Sequence, residues 1–407
     1  MIRKIALESL VDIIIYKKYA NLILREKLNN VEYSKRAKIT NIVYGVLRNH
    51  QLCRYQWIDI AHKNVNEKIA ILLDMSVFQI MNMESENYAV VSEAVNLAPK
   101  NFKGLVNAIL RSFLRRGVLE SDDILIKTSH PQWIYKLWVS HYGKEIADKI
   151  CYENIKQKLV HARINTIKTT RSEIEKLEGV KFLTNEGFIA DFNLVKHEYF
   201  AEGKYIIQDL SSQEVVNHLD LKATDRVLDC CAAPGTKTSQ IGMHMQNKGV
   251  IISGDLHEHR VNLISRLMDK LGLNNVDVNV WDATKIDEIL KDDKFDKILL
   301  DVPCSGLGVL SRKPEIKLNC KSSDIDEICE VQKKILNSAS KLLKDNGYLV
   351  YSTCTLNKKE NERQISEFLS NNKHFSLILE KTIFPFDGLG DGFYIAKLQK
   401  NIKNVVK

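Results

Sequence analysis

Two cysteines that each follow an apolar run are the first candidates for covalent chemistry in this sequence. Cys304 lies in LLDVPCSG (299–306) and Cys354 lies in VYSTCTL (350–356), and polar residues flank both thiols. A thiolate is an effective nucleophile, so two thiols at the ends of neighbouring strands could divide attack and release between them. The residues alone leave open which of the two attacks.

Cys304 shares its turn with Asp301, and this set of groups matches what methylation of a cytosine at C5 requires. C5 is a poor nucleophile until a thiolate adds to C6 and makes C5 enamine-like, so that C5 can attack the methyl group of the donor. A base then removes the C5 proton, and the thiol leaves by elimination. Asp301 would hydrogen-bond the ring at N3 as charge develops. A cytosine stacked in a helix cannot present C6, so the base must be flipped out or unpaired.

The elements that would position these residues lie after residue 203, where strand-like apolar segments alternate with helical patterns. This alternation predicts a doubly wound, mostly parallel α/β sheet, whose ligands bind at the carboxyl ends of strands. Each predicted strand ends in a polar or reactive residue. The strand-like segments are RVLDCCAA (226–233), GVIISGDL (249–256), VDVNVWDA (276–283), KILLDVPC (297–304) and GYLVYSTC (347–354).

A turn and the start of a helix follow the first of these strands, in VLDCCAAPGTKTSQI (227–241). The turn lacks the glycines of a P-loop and of a dinucleotide-binding fold, whereas an S-adenosylmethionine site needs only small residues and acids. We therefore predict that Asp229, the turn 232–235 and Asp255 hold S-adenosylmethionine, with Asp282 near its adenine. Lys237 would neutralise Asp229 or face solvent, and each acid could instead cap a helix or occupy a loop.

The first 117 residues differ from the rest of the chain in composition and in the spacing of their apolar residues. They contain one proline and three glycines, and apolar residues recur at helical spacing, as in Ile69, Leu72, Leu73 and Val77, which predicts an all-α bundle. They carry 18 lysines and arginines against 10 acidic residues, which is the whole +8 net charge of the chain. A basic module of this kind indicates a polyanionic partner, or else an ordinary solvated surface.

Between residues 126 and 203, mixed helical and strand-like patterns predict a small α+β linker domain. The expected domains are therefore 1–125, 126–203 and 204–400. Eight cysteines without a C-x-x-C pair predict reduced thiols and no metal site. No run of about 18 apolar residues occurs, so no membrane span is predicted. We expect a cytoplasmic protein without an obligate protein partner.

Three motifs, LDCCAAPGTKTSQ, LLDVPCSGLGVLSRKPEIK and VYSTCTLNKKENE, resemble the signature motifs of the RNA cytosine-5 methyltransferases. IVYGVLRNHQLCRYQWI and VSEAVNLAPKNFKGLVNAILRSFLRR, in the first 117 residues, resemble the NusB-like antitermination domain. The combination resembles the ribosomal RNA small subunit methyltransferase B family over nearly the whole chain. This resemblance implies a Rossmann-like class I S-adenosylmethionine-dependent methyltransferase domain, preceded by an all-α NusB-like RNA-binding domain and the linker domain.

The resemblance also implies roles for residues. Cys354 would be the nucleophile, Cys304 would assist release of the methylated product, and Asp301 would contact the substrate ring or the cofactor. The substrate would be a cytosine of 16S ribosomal RNA, methylated at C5 through a covalent adduct between cysteine and C6. The implied cofactor pocket comprises Cys231, Ala232, Ala233, Pro234, Gly235, Thr236, Lys237, Asp255, Asp282 and Asp301.

The chain departs from the family pattern at two places. Thr236 stands where a second glycine is common, which restricts positive φ, although we expect cofactor binding to persist. The segment 153–165 lacks the usual double proline. After Cys304, the loop residues Arg312 and Lys313 are predicted to contact RNA phosphates, or else to be ordinary solvated basic residues.

Two other functions stay open at this point. One is a transfer RNA or 23S ribosomal RNA cytosine-5 methyltransferase, which would use the same chemistry. The other is a non-catalytic RNA-binding or antitermination factor. The segment QDLSSQ (208–213) before the first strand receives no role.

Overall fold

The chain forms two compact units. The computed structural model describes residues 1–61, 64–84 and 86–402. The first unit contains residues 1–157 and the later segment 310–320, and the second contains 158–309 and the chain from 321 onward. Within the described ranges, no helix is long and apolar enough to cross a membrane. The division into three domains remains a prediction.

The first unit is an all-α bundle, as the sequence predicts. Its helices are α1 Ile2–Ile14, α2 Ala20–Leu28, α3 Tyr33–Arg48, α4 His50–Tyr55, α5 Glu67–Asn82, α6 Asn87–Leu97, a 3₁₀ turn Lys100–Phe102, α7 Lys103–Arg116, α8 Ile124–Thr128, α9 Gln132–Tyr142 and α10 Lys144–Asn154. Apolar faces of α1, α3, α5 and α7 form one core that includes Leu10, Val43, Leu73 and Phe113. Helix α7 ends at Arg116 and is capped by Gly117, whose φ of 82° favours glycine.

The second unit begins with a small α+β part, which agrees with the α+β fold predicted for the linker, whereas residues 126–157 of the predicted linker domain group with the first unit. Its elements are β1 Ala162–Ile164, α11 Arg171–Glu175, β2 Val180–Phe182, β3 Gly187–Ala190, α12 Glu198–Ala201 and β4 Tyr205–Ile207. The four strands form an antiparallel sheet in the order β2-β3-β1-β4. Phe188 and Tyr205 pack edge to face, with ring centroids 5.4 Å apart.

A seven-stranded sheet and the helices around it make up the rest of the second unit. One helix of this part of the chain, α17 (Ile316–Asn319), lies in the segment 310–320 and so belongs to the first unit. The elements are α13 Leu210–Asn217, β5 Arg226–Asp229, α14 Thr236–His244, β6 Val250–Asp255, α15 Glu258–Leu271, β7 Val276–Val280, a 3₁₀ turn Ala283–Lys285, α16 Ile286–Ile289, β8 Phe295–Asp301, α17 Ile316–Asn319, α18 Ser322–Ser340, β9 Leu343–Thr353, α19 Glu362–Asn371, β10 Phe375–Ile383 and β11 Phe393–Lys400. The strand order is β10-β11-β9-β8-β5-β6-β7.

This sheet confirms the predicted doubly wound, mostly parallel architecture. The five predicted strands, β5 to β9, are parallel, whereas β10 and β11 are antiparallel and are absent from the sequence-based prediction. Consecutive residues of β5 point to opposite faces of the sheet: Val227 packs in the core on one face and Leu228 in the core on the other. Helices therefore cover both faces.

The parallel strands bring their carboxyl ends to one edge of the sheet. Strand β5 pairs with β6 on one side and with β8 on the other, and open α/β sheets bind ligands where the strand order reverses in this way. In register, Asp229 stands opposite Leu299 of β8, and Asp301 stands opposite Ser352 of β9. Most of the residues predicted to do chemistry follow these strand ends.

Candidate active site

The two cysteines singled out by the sequence meet after the adjacent parallel strands β8 and β9. Cys304 Sγ lies 3.3 Å from Cys354 Sγ, within hydrogen-bond distance for sulfur, and both side chains are half-buried. The hydrogen bond with Cys354, burial and the charge of Glu360 raise the pKa of Cys304 well above its ordinary value. A raised pKa keeps the Cys304 thiol protonated, so Cys304 can act as the donor of this hydrogen bond to Cys354 Sγ.

Asp301, the last residue of β8, forms an ion pair with Lys237. Lys237 Nζ lies 2.7 Å from Asp301 Oδ2, and Ser352 Oγ donates to Asp301 Oδ1 over 2.8 Å. The lysine is 8% exposed, which excludes the predicted solvent-facing alternative. Its direct partner is Asp301 rather than Asp229, although its charge also lowers the pKa of Asp229.

The turn between β5 and α14 depends on one glycine. Gly235 has a φ of 96°, and a Cβ there would lie 3.2 Å from the Met268 side chain and 3.3 Å from Ile264. Thr236 is already the first residue of α14, so the positive φ falls on Gly235 and not on the threonine. The departure at position 236 therefore leaves the turn unstrained. Ala232 N–H donates to Gly254 O over 2.9 Å, which ties the turn to β6.

Asp229, at the end of β5, is buried with one oxygen unsatisfied. Thr238 Oγ1 donates to Asp229 Oδ2 over 2.7 Å, whereas Oδ1 has no hydrogen-bond partner in the part of the chain that the structure describes. Burial raises the pKa of Asp229 to about 7, and the charges of Asp301 and Asp255 add to this effect. A hydrogen-bond donor or a cation that reaches Oδ1 would lower this pKa and favour the ionised carboxylate.

The two remaining predicted acids differ from each other. Asp255, at the end of β6, is buried; its Oδ2 accepts from Ala233 N–H over 3.3 Å, and Arg260 Nη1 lies 3.2 Å from Oδ1, outside hydrogen-bond geometry. Asp282 is exposed, and its Oδ1 accepts from the backbone N–H and the hydroxyl of Thr284. These bonds cap the 3₁₀ turn and lower the pKa of Asp282. Contact between Asp282 and adenine stays a prediction.

The other predicted pocket residues line the same turn. Cys231 is half-buried, and burial raises the pKa of its thiol, so it serves as a small apolar wall. Ala233 is half-buried and Pro234 is exposed. Over the described residues, no group of three or more histidine, cysteine or acidic side chains could hold a metal ion.

Arg312 and Lys313 lie in the segment 310–320, which groups with the first unit. The segment is anchored there by Lys317, whose Nζ donates to the carbonyls of the last residues of α3 and α8 over 3.0 and 3.3 Å. Burial lowers the pKa of Lys317 to about 7. Arg312 is half-buried and Lys313 is exposed. Their contact with RNA remains a prediction.

Sequence reasoning missed two fully buried polar residues, Arg163 and Glu360. Arg163 donates to Thr236 O over 3.2 Å and to Ser239 Oγ over 2.8 Å, so it supports the first turn of α14. Its Nε donates to Gln208 Oε1 over 2.6 Å, which gives part of the unassigned segment 208–213 a structural role. A cation inside an apolar strand pattern was the available signal, because buried charges are rare unless they bind something.

Comparison with known protein families agrees with this architecture. Residues 216–399 match the family described as 16S rRNA methyltransferase RsmB/F. Residues 1–115 match the NusB family, and residues 130–187 match the ferredoxin-like domain of the RsmF/B-like methyltransferases. The NusB-like and methyltransferase folds implied by the resemblance are confirmed.

Individual relatives extend the similarity over the full chain. The probable ribosomal RNA small subunit methyltransferase B of Bacillus subtilis (strain 168) is 35% identical over 98% of both chains. The crystal structure of PH0851 matches with a TM-score of 0.82 and 23% identity, covering 97% of this chain and 98% of that one. A methyltransferase homologue from Pyrococcus horikoshii matches with a TM-score of 0.61 and 28% identity, covering 68% and 98%. The chain therefore belongs to the ribosomal RNA small subunit methyltransferase B family.

Proposed function

We propose that this protein methylates C5 of a cytosine in 16S ribosomal RNA, with S-adenosylmethionine as the methyl donor and Cys354 as the nucleophile. Membership of the family makes it an RNA methyltransferase. The observation that carries the finer proposal is the pair of sulfurs 3.3 Å apart, held after the strands whose ends also carry Asp301 and its ion pair with Lys237.

The residues at the ends of β5 and β6 fit S-adenosylmethionine. The cofactor has an amino group and ribose hydroxyls, and Asp229 Oδ1 and Asp255 Oδ1 are buried acceptors without a hydrogen bond among the described residues. Gly235 keeps side-chain atoms out of the turn between them. When bound, the cofactor supplies an electrophilic methyl group. Asp229 would hold its amino group and Asp255 its ribose.

Cys354 would open the reaction by adding to C6 of the cytosine. The hydrogen bond from Cys304 stabilises the Cys354 thiolate, whose electron pair forms the new C–S bond. Electron density from the C5–C6 double bond then moves through C4 toward N3, and C5 becomes enamine-like and able to take up the methyl group.

The ion pair of Lys237 and Asp301 would stabilise the charge that develops on the ring. Lys237 Nζ donates to Asp301 Oδ2 over 2.7 Å, and the ion pair would supply a proton of the ammonium group to N3 as C6 is attacked. Donors held in advance at the position of developing charge lower the barrier without reorganisation, and Ser352 fixes the second oxygen of Asp301.

Cys304 would complete the cycle by moving a proton. After methylation, the proton on C5 must leave, the C6–S bond must break, and N3 must return its proton to the ion pair. Cys304 gives its proton to the departing Cys354 sulfur and, as a thiolate, takes up the proton from C5. The one net proton of the reaction leaves to solvent when Cys354 returns to the thiolate. The distance of 3.3 Å between the sulfurs suits this transfer.

The test is to identify the product. Unmodified 16S ribosomal RNA is incubated with the protein and methyl-deuterated S-adenosylmethionine, digested to nucleosides and analysed by mass spectrometry. We expect the label in 5-methylcytidine alone, with transfer RNA and 23S ribosomal RNA unlabelled under the same conditions. Label in another nucleoside, or in the other two RNAs only, would contradict the proposal. RNA binding with neither label nor cofactor binding would favour the non-catalytic factor.

A further inference from the structure

A buried carboxylate, Glu360, joins the two cysteine loops. Its side chain is 0% exposed. Oε2 accepts the backbone N–H of Ser305 over 2.8 Å, and Oε1 accepts Ser305 Oγ over 2.5 Å. Oε1 also accepts Thr355 Oγ1 over 3.4 Å, and the hydroxyls of Ser305 and Thr355 lie 2.8 Å apart. One carboxylate therefore binds the residues that directly follow Cys304 and Cys354.

Nitrogen donors hold this carboxylate in place. Gln332 Nε2 donates to Oε2 over 3.2 Å and also to Pro303 O over 2.9 Å, so it reaches the residue before Cys304. Asn357 Nδ2 donates to Oε1 over 2.9 Å. The backbone is fixed as well, because Tyr351 OH donates to Glu360 O over 2.7 Å. Both oxygens serve as acceptors, as a carboxylate requires.

Asn361, which follows Glu360 in the sequence, forms hydrogen bonds with the residues immediately before and after Cys354. Asn361 Oδ1 accepts from Thr353 Oγ1 over 2.6 Å, and Asn361 Nδ2 donates to Thr355 O over 2.9 Å. Thr353, Thr355 and Asn361 are all fully buried. The cysteine loops are thus fixed to one segment, and neither loop can shift without breaking several buried hydrogen bonds.

We propose that Glu360 is a positioning residue that sets the separation of the two thiols. Its catalytic consequence rests on the proposed function, whereas the sulfur separation is a property of the protein alone. Without this carboxylate, Ser305 and Thr355 lose their common acceptor and the loops separate. Proton transfer between the sulfurs then slows, so kcat falls while the KM for RNA changes little.

Glu360→Gln is the sharpest substitution, because it keeps the side-chain size and alters only the acceptors. Oε2 faces the backbone N–H of Ser305, and Oε1 faces Nδ2 of Asn357. Either orientation of the glutamine amide therefore places an NH₂ group against an N–H donor. Glu362→Gln is the matched control. Glu362 is half-buried at the start of α19, and no hydrogen bond to either cysteine loop is present within the described part of the chain.

The sulfur separation can be measured without RNA or cofactor. Diamide oxidises two neighbouring thiols to a disulfide: both thiols lose a proton and an electron, and the diazene is reduced to the hydrazine. The Cys304–Cys354 peptide is then quantified by mass spectrometry over time. We expect fast cross-linking in the wild type and in Glu362→Gln, and a rate lower by about tenfold or more in Glu360→Gln, because reaction rates depend steeply on positions within about 1 Å.

Methyl transfer gives the second readout. We expect kcat of Glu360→Gln to fall by about 10²-fold, with the KM for RNA within about twofold of the wild type. Cross-linking and kcat both at wild-type values would overturn the proposal. Slower cross-linking in the variant, together with a wild type that transfers no methyl group, would keep the positioning role and refute the proposed function. Normal cross-linking with an active wild type would refute the positioning role alone.

A second variant keeps the test decisive if Glu360→Gln does not fold, as judged by circular dichroism and the melting temperature. Gln332→Met removes the donor that links Glu360 to the residue before Cys304. We expect cross-linking several-fold slower than in the wild type, since one of the contacts to the Cys304 loop is lost. Cross-linking at the wild-type rate in Gln332→Met would then overturn the proposal.

Discussion

Asp229 should make cofactor binding depend on pH near neutrality. Its pKa is raised to about 7 because the carboxyl is buried, and Oδ1 has no hydrogen-bond partner within the described ranges. With this pKa, about nine-tenths of the carboxyl is ionised at pH 8 and about one-tenth at pH 6. An affinity that requires the carboxylate should therefore weaken by about tenfold between pH 8 and pH 6, which corresponds to about 1.4 kcal/mol.

The stability of the cofactor-free protein should respond to the same group. Between the ordinary pKa of 3.8 and the folded value of about 7, the folded state binds more protons at Asp229 than the unfolded state does. Its contribution to stability is thus fully present below the unfolded pKa and is lost as the pH rises through 7. The loss reaches at most about 4 kcal/mol, and Asp229→Asn removes this dependence.

Isothermal titration calorimetry with S-adenosylhomocysteine at pH 6, 7 and 8 would measure the effect. Asp229→Asn should bind weakly with an affinity that no longer varies in this range. Asp282→Asn is the control, because hydrogen bonds from Thr284 lower the pKa of Asp282 and its titration lies outside the window. A wild-type affinity equal at pH 6 and pH 8, or a full pH dependence retained in Asp229→Asn, would refute the reasoning.

Three further predictions concern other parts of the chain. Lys237→Met should leave Asp301 without its ammonium partner and lower kcat by about 10²-fold, measured by steady-state methyl transfer; an unchanged kcat would contradict the role of the ion pair. Gly45→Ala should destabilise the protein by about 1–3 kcal/mol in urea unfolding, because a Cβ would lie 2.0 Å from an aromatic ring atom of α5, whereas Gly104→Ala, with nothing within 4 Å, should be neutral or stabilising. Equal midpoints for the two would contradict this packing. Replacing Arg312 and Lys313 by alanine should weaken RNA binding and flatten its salt dependence, and an unchanged slope would exclude phosphate contacts.

The sequence predicted the sheet well because buried parallel strands read as nearly continuous apolar runs, and a polar residue follows each run. It placed Cys304, Cys354, Asp229 and Asp301 at one edge, and their strand ends lie there. Strands β10 and β11 escaped prediction. Charged and polar residues interrupt their apolar runs, as in the exposed edge strand β10, so neither stands out from a helix or a loop.

Contacts between side chains that lie far apart in the chain could not be predicted from the sequence. The sequence predicts that Lys237 neutralises Asp229 or faces solvent, but in the structure Lys237 pairs with Asp301, which lies 64 positions away. Glu360 and Arg163 gave no periodic signal, because their role depends on loops and strands that fold together from separate parts of the chain. The helix faces were also only partly predictable: every residue of α5 from Ile69 to Gln79 is buried, so no single apolar stripe describes this helix.

The central claim is that Cys354 attacks and Cys304 releases. The most direct measurement is a denaturing gel of the protein with labelled 16S ribosomal RNA and S-adenosylmethionine, comparing the wild type with Cys304→Ala and Cys354→Ala. We expect Cys304→Ala to accumulate a covalent RNA adduct, because the adduct forms but cannot be resolved, and Cys354→Ala to form none. An adduct in Cys354→Ala that is absent from Cys304→Ala would contradict the account and make Cys304 the nucleophile.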